Sequence, residues 1–334
     1  METDIPIIAV KGVSKDFTKP LDLADRVANL VGAGITDEIV HAVSDVDLVI
    51  RPSEVVALVG ESGCGKSTLG RIVAGILTPT KGHIFYRGVD IVAMGAAERK
   101  ATALKVQMIF QNPSNALNPR MRVRDIVAEA PKVHGVVPTV ELDEHVAEML
   151  QRVGMDPSFN VRFPHQLSGG QRQRVGIARA LAVKPEVVVC DEAVASLDVS
   201  IQAQVLNLFM SLREEFQLTY LFISHDLGVV QHLSDWVAIM YLGRIVETAS
   251  ATEIFRAPNH PYAQALIAEM PQIDNRQRAF SPIEGEIASP LDPPPGCHFH
   301  PRCPHASARC REEAPKLKEI ASGHMSACHL NDAP

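Results

Sequence analysis

The segment Gly60–Thr68 constrains the fold of this chain more than any other feature. It reads Gly-Glu-Ser-Gly-Cys-Gly-Lys-Ser-Thr and matches the pattern G-x-x-x-x-G-K-[ST]. It follows an apolar run, Val55–Val59, that predicts a strand, and it precedes a pattern, Leu69–Ile76, that predicts a helix. Glycines here let the backbone curl so that successive N–H groups point at phosphate oxygens, and the helix N-terminus adds positive potential. The segment therefore predicts a phosphate-binding loop in an α/β fold.

The polar side chains of this loop have distinct expected roles. Lys66 supplies positive charge for the β- and γ-phosphates of a nucleotide, and the Ser67 hydroxyl can bind Mg²⁺. A chance glycine turn is the alternative, and the flanking strand and helix argue against it. The candidate nucleotide-binding residues of the loop are Gly60, Ser62, Gly63, Cys64, Gly65, Lys66, Ser67 and Thr68.

Two carboxylates end a second apolar strand. The run Val187–Cys190 is followed by Asp191 and Glu192. Asp191 suits a role near Mg²⁺, and Glu192 is placed to orient or deprotonate an attacking water. A strand that ends in Asp-Glu is by itself usually a solvated strand end, but together with a phosphate loop it predicts catalysis.

A second candidate anion site lies at Ser168–Gln171. The sequence Leu-Ser-Gly-Gly-Gln begins at Leu167 and precedes a helical run, Arg172–Leu181. A free serine hydroxyl and two glycines at a helix N-terminus can bind an anion. Two such sites in one chain make sense if one of them, formed by Ser168, Gly169, Gly170 and Gln171, faces a nucleotide held by a neighbouring subunit.

At this point the chain resembles the ATP-binding subunits of ABC transporters, whose signature motif is LSGGQ. Gln111 resembles the Q-loop glutamine, Ser196-Leu197-Asp198 resembles the D-loop, and His225 resembles the switch histidine. The resemblance implies that Gln111 and His225 act in catalysis with Glu192, that Gln111 joins the Mg²⁺ ligands Ser67 and Asp191, and that Asp198 lies near nucleotide. For His225 alone, a satisfied core histidine would be the alternative.

An aromatic residue near the start of the chain has two interpretations. Phe17 resembles the A-loop aromatic that stacks on adenine, although this family usually has Tyr there. Phe17 could instead be a core residue. The 23 residues from Thr18 to Val40 form a longer insertion than is usual before the next strand, and their function is left open.

Composition and charge indicate the compartment of the chain and the classes of partner that it can bind. It has 32 basic and 39 acidic residues, a net charge of −7, so a nucleic-acid partner is not expected. No apolar run reaches the roughly 18 residues of a membrane helix. Met1–Val10 lacks a basic segment followed by an apolar core, so no signal peptide is expected. We expect a cytosolic chain whose membrane role, if any, comes through a partner.

Several segments resemble one importer subfamily, the oligopeptide/dipeptide type. The resemblance covers about residues 5–330 and implies an ATPase that powers import of peptides or similar small solutes. It also implies the partners: a second ATPase subunit, identical or a paralogue, two transmembrane permeases and a solute-binding protein, with this chain peripheral on the cytoplasmic face of the plasma membrane. The segments that carry the resemblance are Gln107–Pro113, Leu117–Met121, Ala195–Gln204, Asn259–Tyr262 and Gly296–Pro304.

The alternative is a soluble ABC-type ATPase that works in DNA repair or translation. Such a protein would carry a long coiled-coil insertion or two nucleotide domains, and this chain has 334 residues with one phosphate loop. The sequence leaves open which solute is carried and whether the ATPase pair is a homodimer or a heterodimer.

Strand and helix patterns alternate along most of the chain and predict a largely parallel α/β sheet. With the resemblance, this implies a P-loop NTPase (RecA-like) core with an antiparallel β subdomain and an ABC α-helical subdomain at about 112–175, all within residues 1–270. The run Asn112–Pro119 predicts a loop, and Asp125–Gly154 predicts a helix. Residues 271–334 form a Cys-rich extension with few large apolar residues for a core of its own.

Four cysteines in this extension, Cys297, Cys303, Cys310 and Cys328, are spaced C-x5-C-x6-C-x17-C. A disulfide is disfavoured in a reducing cytosol, and free thiols prefer apolar surroundings. Zinc typically uses tighter pairs, whereas four thiolates of an iron–sulfur cluster tolerate wider spacing. Nearby histidines keep a mixed ligand set open. Similar tails in this subfamily are thought to carry a [4Fe–4S] cluster, which is favoured over zinc and is expected to take no part in hydrolysis.

Overall fold

The computed structural model describes residues 5–20, 29, 37–195, 197–270, 285–286 and 288–332. Its strands in chain order are β1 (Ile8–Lys19), β2 (Glu38–Ile50), β3 (Val55–Val59), β4 (Lys81–Tyr86), β5 (Val89–Asp90), β6 (Val106–Ile109), β7 (Val187–Asp191), β8 (Thr219–Ile223), β9 (Trp236–Tyr241), β10 (Arg244–Ser250), β11 (Lys318–Ala321) and β12 (His324–Ser326). Its helices are α1 (Lys66–Val73), α2 (Ala96–Lys105), α3 (Pro113–Ala116), α4 (Val123–His134), α5 (Leu142–Arg152), α6 (Gly169–Leu181), α7 (Val199–Phe216), α8 (Leu227–Leu233), α9 (Ala251–Arg256), α10 (Pro261–Ala268) and α11 (Ala308–Glu312).

A central sheet has the strand order β11-β12-β10-β9-β3-β8-β7-β6. Strands β9, β3, β8, β7 and β6 are parallel to one another, whereas β10, β12 and β11 pair antiparallel. Strands β3, β7 and β8 are buried along their whole length, which explains their unbroken apolar runs. Since parallel strands end at one edge of a sheet, the loops after β3, β6, β7 and β8 share that edge.

A second, antiparallel sheet has the order β2-β1-β4-β5. Its β1–β2 hairpin runs on to the pair Lys19↔Glu38, so the described ends of the insertion between Thr18 and Val40 continue this hairpin. Residues 21–28 and 30–36 of the insertion lie outside the described residues. The apolar faces of this sheet, of α1 and of the central sheet share one core.

Helices α3 to α6 pack together, and this region corrects two sequence predictions. The predicted loop Asn112–Pro119 contains α3, whose first turn forms because the Asn112 carbonyl accepts hydrogen bonds from the N–H groups of Asn115 and Ala116. The predicted helix Asp125–Gly154 is two helices, since α4 ends at Gly135 with φ +63° and α5 begins at Leu142. A left-handed glycine at this point is a common helix C-terminus.

The extension adds strands to the central sheet instead of building a core of its own. Strand β12 pairs with β10 through Glu247↔Ser326 and Thr248↔Met325. The buried Glu247 carboxylate lies 2.7 Å from Nε2 of His324, and it accepts hydrogen bonds from the N–H groups of Asn259 and His260. The expected boundary at residue 271 lies outside the described residues, because 271–284 are not among them.

The phosphate loop packs directly under the β1–β2 hairpin. Gly65 has φ +105°, and a Cβ atom there would lie 2.1 Å from the carbonyl oxygen of Ala42 on β2. Gly63 also has a positive φ, +81°, but a Cβ there would meet nothing within 4 Å. The sequence pattern requires glycine at position 65 and leaves position 63 open, and the contacts agree, since of these two residues Gly65 is the one that neighbouring backbone restricts.

We predict that Gly65→Ala destabilises the protein more than Gly63→Ala does. Both substitutions place a side chain at positive φ, which costs roughly 1–2 kcal/mol. Gly65→Ala costs about 1–3 kcal/mol more, because the Ala42 backbone must move. Urea unfolding of the two variants measures the difference, and equal free energies of unfolding would contradict the close packing of loop and hairpin.

Candidate nucleotide-binding site

Lys66 lies at the first turn of α1 and is almost fully buried, with 4% of its surface exposed. Its Nζ atom donates hydrogen bonds to the carbonyl oxygens of Gly60, at 2.7 Å, and Glu61, at 2.8 Å. The Cys64 sulfur lies 3.8 Å from the same Nζ. Burial raises the pKa of the Cys64 thiol, and the Lys66 charge lowers it in part. The loop thus wraps around a cation that faces the curled backbone.

Ser67 and Asp191 join the loop to the end of β7. The Ser67 hydroxyl donates a hydrogen bond to Oδ1 of Asp191 at 2.6 Å. Burial raises the pKa of the Asp191 carboxyl, while the Ser67 hydrogen bond acts in the opposite direction. A hydroxyl oxygen and a carboxylate oxygen side by side are a donor set that Mg²⁺ prefers, so these two residues fit the predicted magnesium ligands.

Glu192 is held between two polar side chains from neighbouring strand ends. Gln111, after β6, donates from Nε2 to Oε2 of Glu192 at 2.6 Å, and Nδ1 of His225, after β8, lies 3.3 Å from Oε1. The backbone of Glu192 has φ +47°, and its N–H donates to the Ile223 carbonyl at 3.0 Å. A bulky residue in this conformation is uncommon and stores strain. The three side chains predicted as catalytic therefore lie together.

A cavity of about 470 Å³ covers the loop and reaches Gln111 and Glu192. Phe17 lines it from β1, with 40% of its surface exposed and the Lys15 ammonium 5.2 Å from its ring centre. Phe17 is therefore not a core residue, and its ring is available to a planar ligand. The lining residues are Phe17, Val40, Ala42, Ser62, Gly63, Gly65, Lys66, Ser67, Thr68, Gln111, Glu192 and Pro290.

Ser168–Gln171 lines a different cavity, of about 310 Å³, which shares no lining residue with the first. Ser168 caps the helix that follows it through its hydroxyl oxygen, and the O–H of the same group can still donate to an anion. Its Oγ accepts a hydrogen bond from the Gln171 N–H at 3.2 Å, and Oε1 of Gln171 accepts one from the Ser168 N–H at 3.0 Å, which closes a capping box at the start of α6. Asp198 immediately precedes α7, and Ser196 lies outside the described residues.

A Cβ atom at Gly169 would meet nothing within 4 Å, whereas one at Gly170 would lie 2.7 Å from Cγ2 of Ile201. Gly169 therefore borders open space, and Gly170 packs against α7.

The four cysteines of the extension are partly buried, whereas Cys64 and Cys190 are buried. Burial raises the pKa of Cys297 to about 11, and the charges of Cys310, Cys303 and Cys328 contribute to this rise. The four thiols thus lie within electrostatic reach of one another. Within the part of the chain that the structure describes, no three His, Cys, Asp or Glu side chains are arranged to hold a metal ion.

Glu61, the second residue of the loop, has two partners that the sequence motifs did not predict. Its N–H donates to the Tyr262 hydroxyl at 2.9 Å, and its carboxylate binds Arg302. The sequence marked both partners only as parts of subfamily segments. One feature of the sequence could have indicated them. Tyr262 and Arg302 are polar residues within those segments, and none of the nucleotide-binding motifs assigns them a role.

Comparison with known proteins agrees with this geometry. A family model for ABC transporters matches residues 43–195, and a model for the oligopeptide/dipeptide transporter C-terminal region matches residues 246–310. The oligopeptide transport ATP-binding protein AppF of Bacillus subtilis is 48% identical over 87% of this chain and 90% of its own length. The dipeptide transport ATP-binding protein DppF of Haemophilus influenzae is 44% identical over 86% of this chain and 89% of its own.

Solved structures show the same fold. A dimeric, post-hydrolysis structure of the ATP-binding cassette MJ0796 bound to ADP and Pi is similar with a TM-score of 0.62 and 26% identity, over 73% of this chain and 98% of that one. This confirms the P-loop NTPase core. Among the described residues, no helix has the length and apolar character needed to cross a bilayer. The chain belongs to the ABC transporter ATP-binding proteins of the oligopeptide/dipeptide type, and it is an ATPase.

Proposed function

We propose that this chain hydrolyses ATP to drive import of peptides or similar small solutes through a membrane permease. The observation that carries the proposal is the placement of Gln111, Glu192 and His225 at the same sheet edge as the phosphate loop. The relatives AppF and DppF are named as oligopeptide and dipeptide transport proteins, which supports a peptide as the solute.

In the proposed reaction each side chain has one task. The loop N–H groups and the Lys66 ammonium bind the phosphates of ATP, with Phe17 against its base. Glu192 accepts a proton from the attacking water, while Gln111 and His225 hold the carboxylate in place through the contacts at 2.6 and 3.3 Å. When bound by Ser67, Asp191 and Gln111, Mg²⁺ neutralises charge that develops on the phosphates.

The segment Ser168–Gln171 serves a nucleotide held by a second ATPase subunit, whether identical or a paralogue. The separate cavity supports this role, because the cavity at Ser168–Gln171 shares no lining residue with the cavity over the phosphate loop of the same chain. Gly169 borders open space, so its backbone is accessible to another chain's ligand. Asp198, at the start of α7, completes this second surface.

We place the chain on the cytoplasmic face of the membrane, bound to two permeases that receive solute from a binding protein. Gln111 and the following segment Asn112–Arg124 are the proposed permease contact, as the family resemblance implies. The end of this segment borders a cavity of about 470 Å³ between α4 and α5, which is lined in part by Met121 and Arg124. A role in DNA repair or translation is the alternative, and the named transport relatives and the net charge of −7 both count against it.

We further propose that Cys297, Cys303, Cys310 and Cys328 hold a [4Fe–4S] cluster, with zinc as the alternative. All four thiols lie in the same extension and are partly buried, which supports a common ligand. The sequence spacing favours a cluster over zinc, because zinc typically uses tighter cysteine pairs. When bound, the cluster supplies a link between parts of the extension and takes no part in hydrolysis.

Glu192→Gln and Lys66→Ala are expected to separate ATP hydrolysis from ATP binding. In the complex with its permeases, Glu192→Gln retains ATP binding but lowers hydrolysis and peptide uptake by about 10²–10⁴-fold, because the amide cannot accept the proton. Lys66→Ala weakens ATP binding itself. Titration calorimetry, phosphate release and uptake of labelled peptide into vesicles provide the three readouts.

Glu253→Gln is the matched control, since Glu253 forms an exposed pair with Arg256. It should leave all three readouts unchanged. Wild-type hydrolysis by Glu192→Gln would refute the assigned base. The wild-type protein could also hydrolyse ATP without peptide uptake and be recovered bound to ribosomes or DNA. That result would favour the alternative function in DNA repair or translation.

Anaerobic purification tests the cluster. The full-length protein should be brown, with broad near-ultraviolet and visible absorption that bleaches on oxidation, and Cys303→Ser should lose the colour. Cys190→Ala should keep it, because Cys190 lies in the core of the central sheet. Colourless wild-type protein with stoichiometric zinc would overturn the cluster and leave the ATPase untouched.

A further inference from the structure

Arg302, in the extension, forms a two-pronged ion pair with Glu61 in the phosphate loop. Nη1 of Arg302 donates to Oε2 of Glu61 at 2.8 Å, and Nη2 donates to Oε1 at 3.1 Å. The Arg302 side chain is 6% exposed and that of Glu61 is 21% exposed. Paired geometry with little solvent access makes such a contact stronger and more directional than a surface ion pair.

The aromatic core beside the loop fixes the position of Arg302. Its guanidinium lies 5.9 Å from the ring centre of Tyr241, and Nη1 is 3.5 Å from the Tyr241 hydroxyl. The buried Phe299 packs against Tyr241 and Tyr262 with ring centres 5.2 and 5.4 Å apart, and its carbonyl accepts a hydrogen bond from the Arg302 N–H. Burial acts to lower the pKa of Arg302, but the bonds to Glu61 and Tyr241 outweigh it, so the pKa is raised and the guanidinium stays charged.

Glu61 connects Arg302 to Lys66, because it contacts both side chains. The Glu61 carbonyl accepts the 2.8 Å hydrogen bond from Lys66 Nζ, its N–H is held by the Tyr262 hydroxyl, and its carboxylate is held by Arg302. The N–H and C=O contacts fix the two peptide planes at Glu61, and the Arg302 contact fixes its side chain. A shift of the Glu61 side chain would reorient the carbonyl that positions the Lys66 ammonium.

We propose that Arg302 is a positioning residue for ATP binding: the extension holds the phosphate loop in its working shape through the Arg302–Glu61 ion pair. This inference rests on the proposed role of the loop in ATP binding. Arg302 acts on phosphate binding, so its loss should raise KM for ATP and the ATP dissociation constant and leave kcat nearly unchanged. A merely structural role for the ion pair, as an anchor of the extension, would lower stability without this selective effect on KM.

The test is a double-variant series on the full-length ATPase. Arg302→Gln and Glu61→Gln should each raise KM for ATP on the order of ten-fold, the effect of removing a strong charged hydrogen bond. The double variant should be no worse than either single variant, because the two side chains act as one unit. Arg302→Lys keeps the positive charge but cannot donate to both carboxylate oxygens in the same geometry. Its KM for ATP should therefore fall between those of wild type and Arg302→Gln.

Arg309→Gln is the matched control within the same extension. Arg309 pairs with Glu313 and Asp332, away from the loop, so this variant should keep the wild-type KM. Glu61→Gln breaks the pair from the loop side without altering the extension, so it decides the question even if Arg302→Gln fails to fold. An unchanged KM in Glu61→Gln, or single effects that multiply in the double variant, overturns the proposal.

Lys66→Ala in the same series separates the two inferences. If Lys66→Ala loses ATP binding while the pair variants match wild type, only the assignment of Arg302 fails. If Lys66→Ala binds ATP like wild type, the loop is not the ATP site, and both inferences fail.

Discussion

The buried ammonium of Lys66 is the interaction on which the rest of the site depends. A charge with 4% exposure is costly to bury unless polar groups surround it, and here the carbonyls of Gly60 and Glu61 compensate it. The loop must therefore curl tightly, which brings Gly65 against the β1–β2 hairpin and Glu61 against Arg302. One buried cation thus connects the phosphate loop, the antiparallel sheet and the extension.

Parallel strand topology explains why the catalytic candidates meet although they are far apart in sequence. Gln111, Glu192 and His225 each follow a different strand, and those strands end at one edge of the sheet. Of these three residues, only Glu192 has a positive φ, +47°, which is a strained backbone conformation for a residue with a side chain. This backbone conformation places the Glu192 carboxylate between the other two side chains, where the proposed general base is needed.

Motifs with fixed spacing could be predicted from the sequence, whereas contacts between distant segments could not. The phosphate loop and the Asp191-Glu192 strand end are local patterns, and the structure places them together as expected. The capping box at the start of α6 is also a local pattern, because Ser168-x-x-Gln171 has the spacing of that motif. The sequence could not pair Glu61 with Arg302, 241 residues apart, since that contact depends on how the extension packs in the fold, for example through strand β12 and the ring of Phe299.

The two candidate anion sites line separate cavities of one chain, and ATP titration of the isolated Ser168→Arg variant shows whether they serve different nucleotides. If Ser168 faces the nucleotide of another subunit, the variant binds ATP with wild-type affinity through its own phosphate loop, and only hydrolysis in the assembled complex is lost. If the variant loses ATP affinity in the isolated chain, Ser168 acts on the nucleotide of its own chain. The two candidate anion sites then do not serve different subunits.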